Sequence, residues 1–204
     1  MSKDKPARWR QLYTGEPYTA ALEWYRRNGL YNGLVPDAED PRQQRLEAAV
    51  LAALARPSAM PAPPRLRKPL LALAGATPDV DALTLRPASQ HLPHLLASLL
   101  PARTAHGVSG VPGLRARLSR RTGQLTLGRI HDDAVIGIRA TQQEAEAALR
   151  QAKDLVKEAS LEPLWDSDHM TGAIVKTCGS SFFKQLSTYP RSSVIPRAAR
   201  RACP

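Results

Sequence analysis

Every aromatic side chain in this sequence lies near one end or the other. Six of the ten fall within the first 31 residues (Trp9, Tyr13, Tyr18, Trp24, Tyr25 and Tyr31), and the others are Trp165, Phe182, Phe183 and Tyr189. Between Asn32 and Leu164 there is no ring at all. Stacking platforms, ring-lined pockets and aromatic interface anchors are therefore excluded from the long middle of the chain. Its core has to be assembled from Leu, Val, Ile and Ala.

At 204 residues the chain is long enough for one domain, or one domain and a small appendage, around a core that needs no disulfide or structural metal. The two cysteines, Cys178 and Cys203, both lie close to the C-terminus, which is not the pattern of a disulfide scaffold. Lys and Arg outnumber Asp and Glu by 29 to 18, a net charge of +11. Six of the basic residues follow Met170, where there is no acid, so the rest of the chain is only mildly basic. Nucleic acid or another polyanion fits that balance as a partner, and so does plain solubility. The charged start Met-Ser-Lys-Asp-Lys-Pro leads into no apolar signal-peptide segment. No run approaches the roughly 18–20 apolar residues of a membrane span. The expectation is a cytoplasmic protein with no membrane partner.

Residues 9–56 read as two helices, packed on each other as a helical hairpin or jointly against the rest. Pro17 opens one helix, with Tyr18, Ala21, Leu22 and Tyr25 on one stripe and Arg26 and Arg27 in its last turn, before Asn28-Gly29. Asp40-Pro41 opens a second, with Leu46, Ala49, Val50, Ala53 and Leu54 as its stripe. Prolines 57, 61, 63, 64 and 69 mark a stiff linker over residues 57–77. Residues 78–166 alternate between the two periods. Leu83 and Leu85 predict a strand, Leu92 to Leu99 a helix, and Leu114 to Leu118, Leu125 to Leu127 and Ala134 to Arg139 three further strands. Thr141 and Glu144 form a capping box for a helix carrying Ala148, Leu149, Ala152, Leu155 and Val156. Leu161 to Trp165 reads as a last strand. The expected fold is therefore α+β: an N-terminal helical hairpin, then a two-layer α/β sandwich of approximately βαβββαβ order. Beyond Met170 neither period persists, and residues 170–204 read as a basic, disordered tail. The competing reading there is translation in a foreign frame or a recent fusion.

Two features point to binding. The hairpin from Leu114 to Arg129 carries Arg115, Arg117, Arg120, Arg121 and Arg129 and no acid. Guanidinium groups are always charged and can bond two phosphate oxygens at once, so a ribbon of them suits a nucleic-acid backbone. The plain alternative is an ordinary solvated sheet face. The N-terminal stretch interleaves rings with cations, and Trp9, Trp24, Tyr25, Arg26 and Arg27 are its candidate partner-binding residues. There the plain alternative is that the tyrosines belong to the apolar stripe, with Trp24 beside it.

Other groups carry less. His91 and His94 share a helix face but make an incomplete metal site, and Asp166, Asp168 and His169 read as a polar loop. The loop His106 to Gly113 has neither the spacing of a nucleophile elbow nor that of a phosphate loop, and reads as a flexible connection. No base is placed beside either cysteine. No catalytic residue, metal or cofactor is assigned.

The string Arg10-Gln-Leu-Tyr-Thr-Gly-Glu-Pro-Tyr-Thr-Ala-Ala-Leu22 resembles the opening of short, uncharacterised proteins of high-GC actinobacteria. The likeness covers only a stretch of about 15–45 residues at the N-terminal end of the chain. It implies a bacterial, cytoplasmic origin, with a mobile element as one source, and carries over no activity and no site residue.

Three functions follow as expectations. The first is a non-enzymatic nucleic-acid-associated or regulatory protein that holds a phosphate backbone, of DNA or RNA, on the arginine hairpin. The second is a protein-interaction module, dimeric or with another partner, that uses the aromatic N-terminal helix. The third is a small enzyme acting on an acidic substrate, with His106, Ser109 and Arg115 as its nominees.

Overall fold

The computed structural model describes residues 4–29, 35–55, 73–88, 90–119, 122–130 and 132–165. The expected tail, both cysteines, the Asp166–His169 cluster and most of the proline-rich linker lie outside the described residues, as do Arg120 and Arg121.

The fold is α+β, with N-terminal helices followed by mixed sheets. Three helices come first: α1 (Asp4–Thr14), α2 (Tyr18–Asn28) and α3 (Pro41–Ala55). Then follow strands β1 (Leu73–Pro78) and β2 (Leu83–Pro87), helix α4 (Leu92–Leu99), and strands β3 (Ala102–Thr104), β4 (Gly107–Ser109), β5 (Leu114–Leu118), β6 (Leu125–Arg129) and β7 (Val135–Ile138). Helix α5 (Gln142–Glu158) and the short β8 (Glu162–Pro163) close the described chain.

Two sheets result. The larger has the order β1-β2-β7-β6-β5 and the smaller β4-β3-β8. Within the larger sheet only the β2–β7 pair is parallel, with Leu83 opposite Ile136 and Leu85 opposite Ile138; the other pairs are antiparallel. Joining two parallel neighbours requires a crossover. Here the crossover contains α4, the small sheet's hairpin and the β5–β6 hairpin.

One face of the larger sheet builds the core. Leu83, Leu85, Leu114, Leu125, Leu127, Ile136 and Ile138 are buried there, and they meet Leu95, Leu96 and Leu99 of α4 and Ala145, Ala148, Ala152 and Val156 of α5. Leu46, Ala49 and Val50 of α3 join the same cluster. This is the two-layer sandwich that alternation and helical spacing predict; its buried residues are all aliphatic, with Trp165 packed against them. Helix α5 starts where its sequence says it should. Thr141 Oγ1 accepts from the Glu144 amide at 3.2 Å, and Glu144 Oε2 accepts from the Thr141 amide at 2.8 Å. Helix α3 is capped by Asp40, whose carboxylate accepts from the Arg42 amide at 2.7 Å.

Four expectations need correction. Residues before Glu16 form a helix of their own, so the helical hairpin is α1–α2, while α3 packs against α4 and the start of β7. Helix α1 is mostly polar and shows no apolar stripe; tertiary contacts through Arg10 hold it. Residues 73–77, expected in the linker, begin strand β1. Leu73-Ala-Gly-Ala-Thr-Pro does not alternate in polarity, and it sits at a sheet edge, where a terminal proline is tolerated. The expected flexible loop over His106–Gly113 is in part the β3–β4 hairpin, with Ala102 opposite Ser109 and Thr104 opposite Gly107. The last strand, β8, pairs with β3 and not with the main sheet.

Candidate functional site

Two parts of the molecule concentrate polar groups. The first is the joint between the α1–α2 hairpin and the sheet. Arg10 of α1 is fully buried and its Nε bonds Glu16 Oε1 at 2.5 Å. Its Nη2 donates to the Pro78 carbonyl at 2.7 Å, and its guanidinium lies 3.9 Å from the ring centroid of Trp24. A buried guanidinium needs both a counter-ion and acceptors for its remaining donors, and the Glu16 turn, the end of β1 and the Trp24 face supply them. Tyr25 meets Trp24 edge-on at 5.2 Å. Burial raises its phenol pKa; Arg10 opposes that shift and Glu16 adds to it.

The turn between the helices rests directly on the sheet. Gly15 adopts φ +68°, and a Cβ there would stand 2.7 Å from the Ala74 carbonyl oxygen. A Cβ on Gly75 would stand 2.8 Å from the Gly15 carbonyl oxygen. Only two glycines allow these backbones to meet. Arg86 of β2 then bonds the Gly15 carbonyl oxygen from below. The stretch from Arg10 through Thr14 and Gly15 to Glu16 is thus a docking device for the helical hairpin. A shallow depression of about 700 Å³ lies beside it, lined by Arg8, Gln11, Leu12, Gly15, Glu16 and Tyr18.

The second part is the face of the larger sheet that turns away from α4 and α5. Side chains alternate between faces along a strand, and directly paired residues share a face. With Leu85, Leu125, Ile136 and Ile138 facing the core, the register fixes the outward set. One row across the sheet is Arg117, Thr126, Gly137, Thr84 and Thr77. Beside it, toward the β6–β7 turn, stand Arg115, Gly128 and Val135. On the other side, Arg139 follows Ile138 next to Arg86 of β2, and its amide donates to the Leu85 carbonyl at 2.9 Å. Gln124 precedes Leu125 on the same face.

This face therefore carries four arginines (Arg86, Arg115, Arg117 and Arg139) and no acid at any outward strand position. Arg117 and Arg139 are exposed, and neither side chain has a hydrogen-bond or ion-pair partner among the described residues. Arg115 and Arg86 are half-buried and hold carbonyl oxygens, Arg115 that of Leu114 and Arg86 those of Gly15 and Ala74. The floor between them is made of small groups. A Cβ on Gly128 would meet only the Ala134 carbonyl oxygen and Val135 within 4 Å, and the nearest neighbours of one on Gly137 belong to Thr84 and Gln124. All of these are atoms of the sheet and its turns, and both glycines are themselves buried. The acids nearest in sequence, Asp132 and Asp133, sit in the β6–β7 turn. Asp132 accepts from the Ala134 amide and Asp133 pairs with Arg42 at 3.9 Å.

The sequence-predicted residues sort accordingly. Arg115 and Arg117 project together, as alternation requires. Arg129 does not join them. It pairs with Leu114 and so shares the core-side face, where burial lowers its pKa, Asp132 opposes that shift and Arg45 of α3 adds to it. Trp24 is 2% exposed beneath Arg10, so it is not available to a partner. Its position beside the stripe gave no sign that a buried cation would cover it. Trp9 stacks on Tyr13 at 6.0 Å, Trp9 and Tyr25 are half-buried, and Arg26 and Arg27 are exposed. His106 stands exposed at the β3–β4 turn, Ser109 donates to the Ala102 carbonyl, and Arg115 belongs to the other sheet, so the three enzymatic nominees do not form a constellation. Burial lowers the His94 pKa, with His91 adding to the shift. No group of three potential metal ligands is present among the described residues. Arg86 was missed because it lies on a strand far from the arginine-rich hairpin, and Arg139 because it stands singly just past β7; the sheet order sets the two side by side.

No protein family, no curated protein and no solved structure matches the chain. Among the described residues no helix is long and apolar enough to cross a membrane.

Proposed function

We propose that this is a non-enzymatic, nucleic-acid-associated regulatory protein that holds a phosphate backbone on the outward face of its five-stranded sheet. The observation that carries this reading is the convergence of Arg86, Arg115, Arg117 and Arg139 on one acid-free face with a floor of Thr and Gly. Guanidinium groups in that setting bond phosphate oxygens in pairs. Such contacts position a nucleic acid without reading its sequence. The test is titration of nuclease-treated protein onto mixed-sequence DNA and RNA at low salt. Binding that weakens steeply as salt rises supports the reading; no binding at the lowest salt removes it.

A second reading has an observation of its own. Leu12 is 66% exposed on α1, next to the Trp9–Tyr13 stack and the depression. On this reading α1 is a protein-contact surface, with Trp9 and Leu12 in the place expected for Trp24. A Leu12→Glu variant that leaves the oligomeric state and all protein contacts unchanged would count against it.

A further inference from the structure

Resting on the nucleic-acid reading above, we infer that the ligand of the sheet face is double-helical DNA, gripped across its minor groove by its two backbones. Proteins that hold single strands combine a basic track with rings on which bases stack, worth about 1–3 kcal/mol per base. No outward position of this sheet carries a ring, and none exists between Asn32 and Leu164 to supply one. A single strand laid here would have its phosphates met and its bases left unheld.

The cations do not form one track. Arg115 and Arg117 stand on the edge strand β5, while Arg86 stands on β2 and Arg139 directly follows β7. Between the pairs lie Thr126, Gly128 and Gly137. From Arg117 to Arg139 the path crosses two strand spacings and one pleat repeat, placing their Cα atoms roughly 12 Å apart. Two separated cationic lips over an uncharged floor suit two backbones facing each other. The minor groove of B-DNA is about 6 Å wide between phosphate surfaces, hence roughly 12 Å between phosphorus centres. The minor groove of double-helical RNA is wide and shallow, and its lips would overshoot the two arginine pairs. The floor's threonine hydroxyls and the Gln124 amide are small polar groups facing a groove whose edge pattern is degenerate. Binding is accordingly indifferent to sequence.

The test is anisotropy titration of the full chain with one mixed-sequence DNA duplex, its two separated strands, and an RNA duplex of the same sequence. The expected result is DNA duplex binding about tenfold or more tighter than to either strand, because a single strand can engage only one lip. Affinity should fall with salt at a log–log slope of about −3 to −4, from four cations at about −0.9 each. Competition by a small minor-groove ligand should displace the protein. Separated strands or duplex RNA binding as tightly as duplex DNA would overturn the inference and leave the broader function standing. So would insensitivity to the minor-groove ligand. Binding to none of them would remove the nucleic-acid reading itself, and this inference with it.

Discussion

Arg10 and Glu16 illustrate how much a single buried pair can organise. Removing one partner leaves the other charged in a dry joint, which typically costs about 3–5 kcal/mol. Arg10→Met should therefore destabilise the protein by about that amount in urea denaturation, and adding Glu16→Gln should recover part of the loss. Arg10→Lys should not rescue, because an ammonium cannot meet the Glu16 carboxylate, the Pro78 carbonyl and the Trp24 face with one planar group. At this scale the sequence was partly legible. Pro17, Gly29 and the Asp40 cap announce themselves by local rules. Arg10 does not, since a cation amid polar residues reads as surface, and its burial depends on β1, more than sixty residues away.

Two helix starts carry the element-scale predictions. Gln43 of α3 behaves as a piece of strand. Its Oε1 accepts from the Val135 amide and its Nε2 donates to the Val135 carbonyl, both at 3.0 Å. It thereby completes the ladder where β2 no longer reaches β7. Gln43→Leu leaves both backbone groups of Val135 without that partner and should cost about 1–3 kcal/mol. At α5, Thr141→Ala should cost about 1 kcal/mol, a few degrees in Tm. Hydrogen bonds from the Thr141 amide, then its hydroxyl, hold the Glu144 carboxyl below the usual glutamate range. A depressed folded-state value means the cap contributes fully above the ordinary glutamate pKa and fades as pH falls through the lowered one. Acid titration of stability should show that fading below about pH 4.5, and Glu144→Gln should remove it. The capping box and the strands of Leu114–Arg139 were readable because both are local patterns. Strand β1 and helix α1 were not, because neither repeats at period 2 or 3.6 strongly enough to stand apart from its neighbours.

On the scale of the whole molecule, sheet order decides what the arginines can do. Local alternation pairs Arg115 with Arg117 and sets Arg129 on the side of Leu125 and Leu127, yet cannot say that Arg86 and Arg139 stand beside each other on the face of the first pair. That adjacency follows from the parallel β2–β7 contact, a long-range feature with no sequence signature. On the proposed function this face, and not net charge in general, binds phosphate. The most direct test compares Arg117→Gln/Arg139→Gln with a charge-matched control on α5, Arg150→Gln/Lys157→Gln, in DNA-duplex titrations across a salt series. All four side chains are exposed, so both variants should keep the parent's circular dichroism and Tm. The face variant should bind at least about tenfold more weakly, with its salt slope shallower by about 1.8, while the control stays near the parent. Equal losses in the two variants, or a slope unchanged by removing Arg117 and Arg139, would contradict the account.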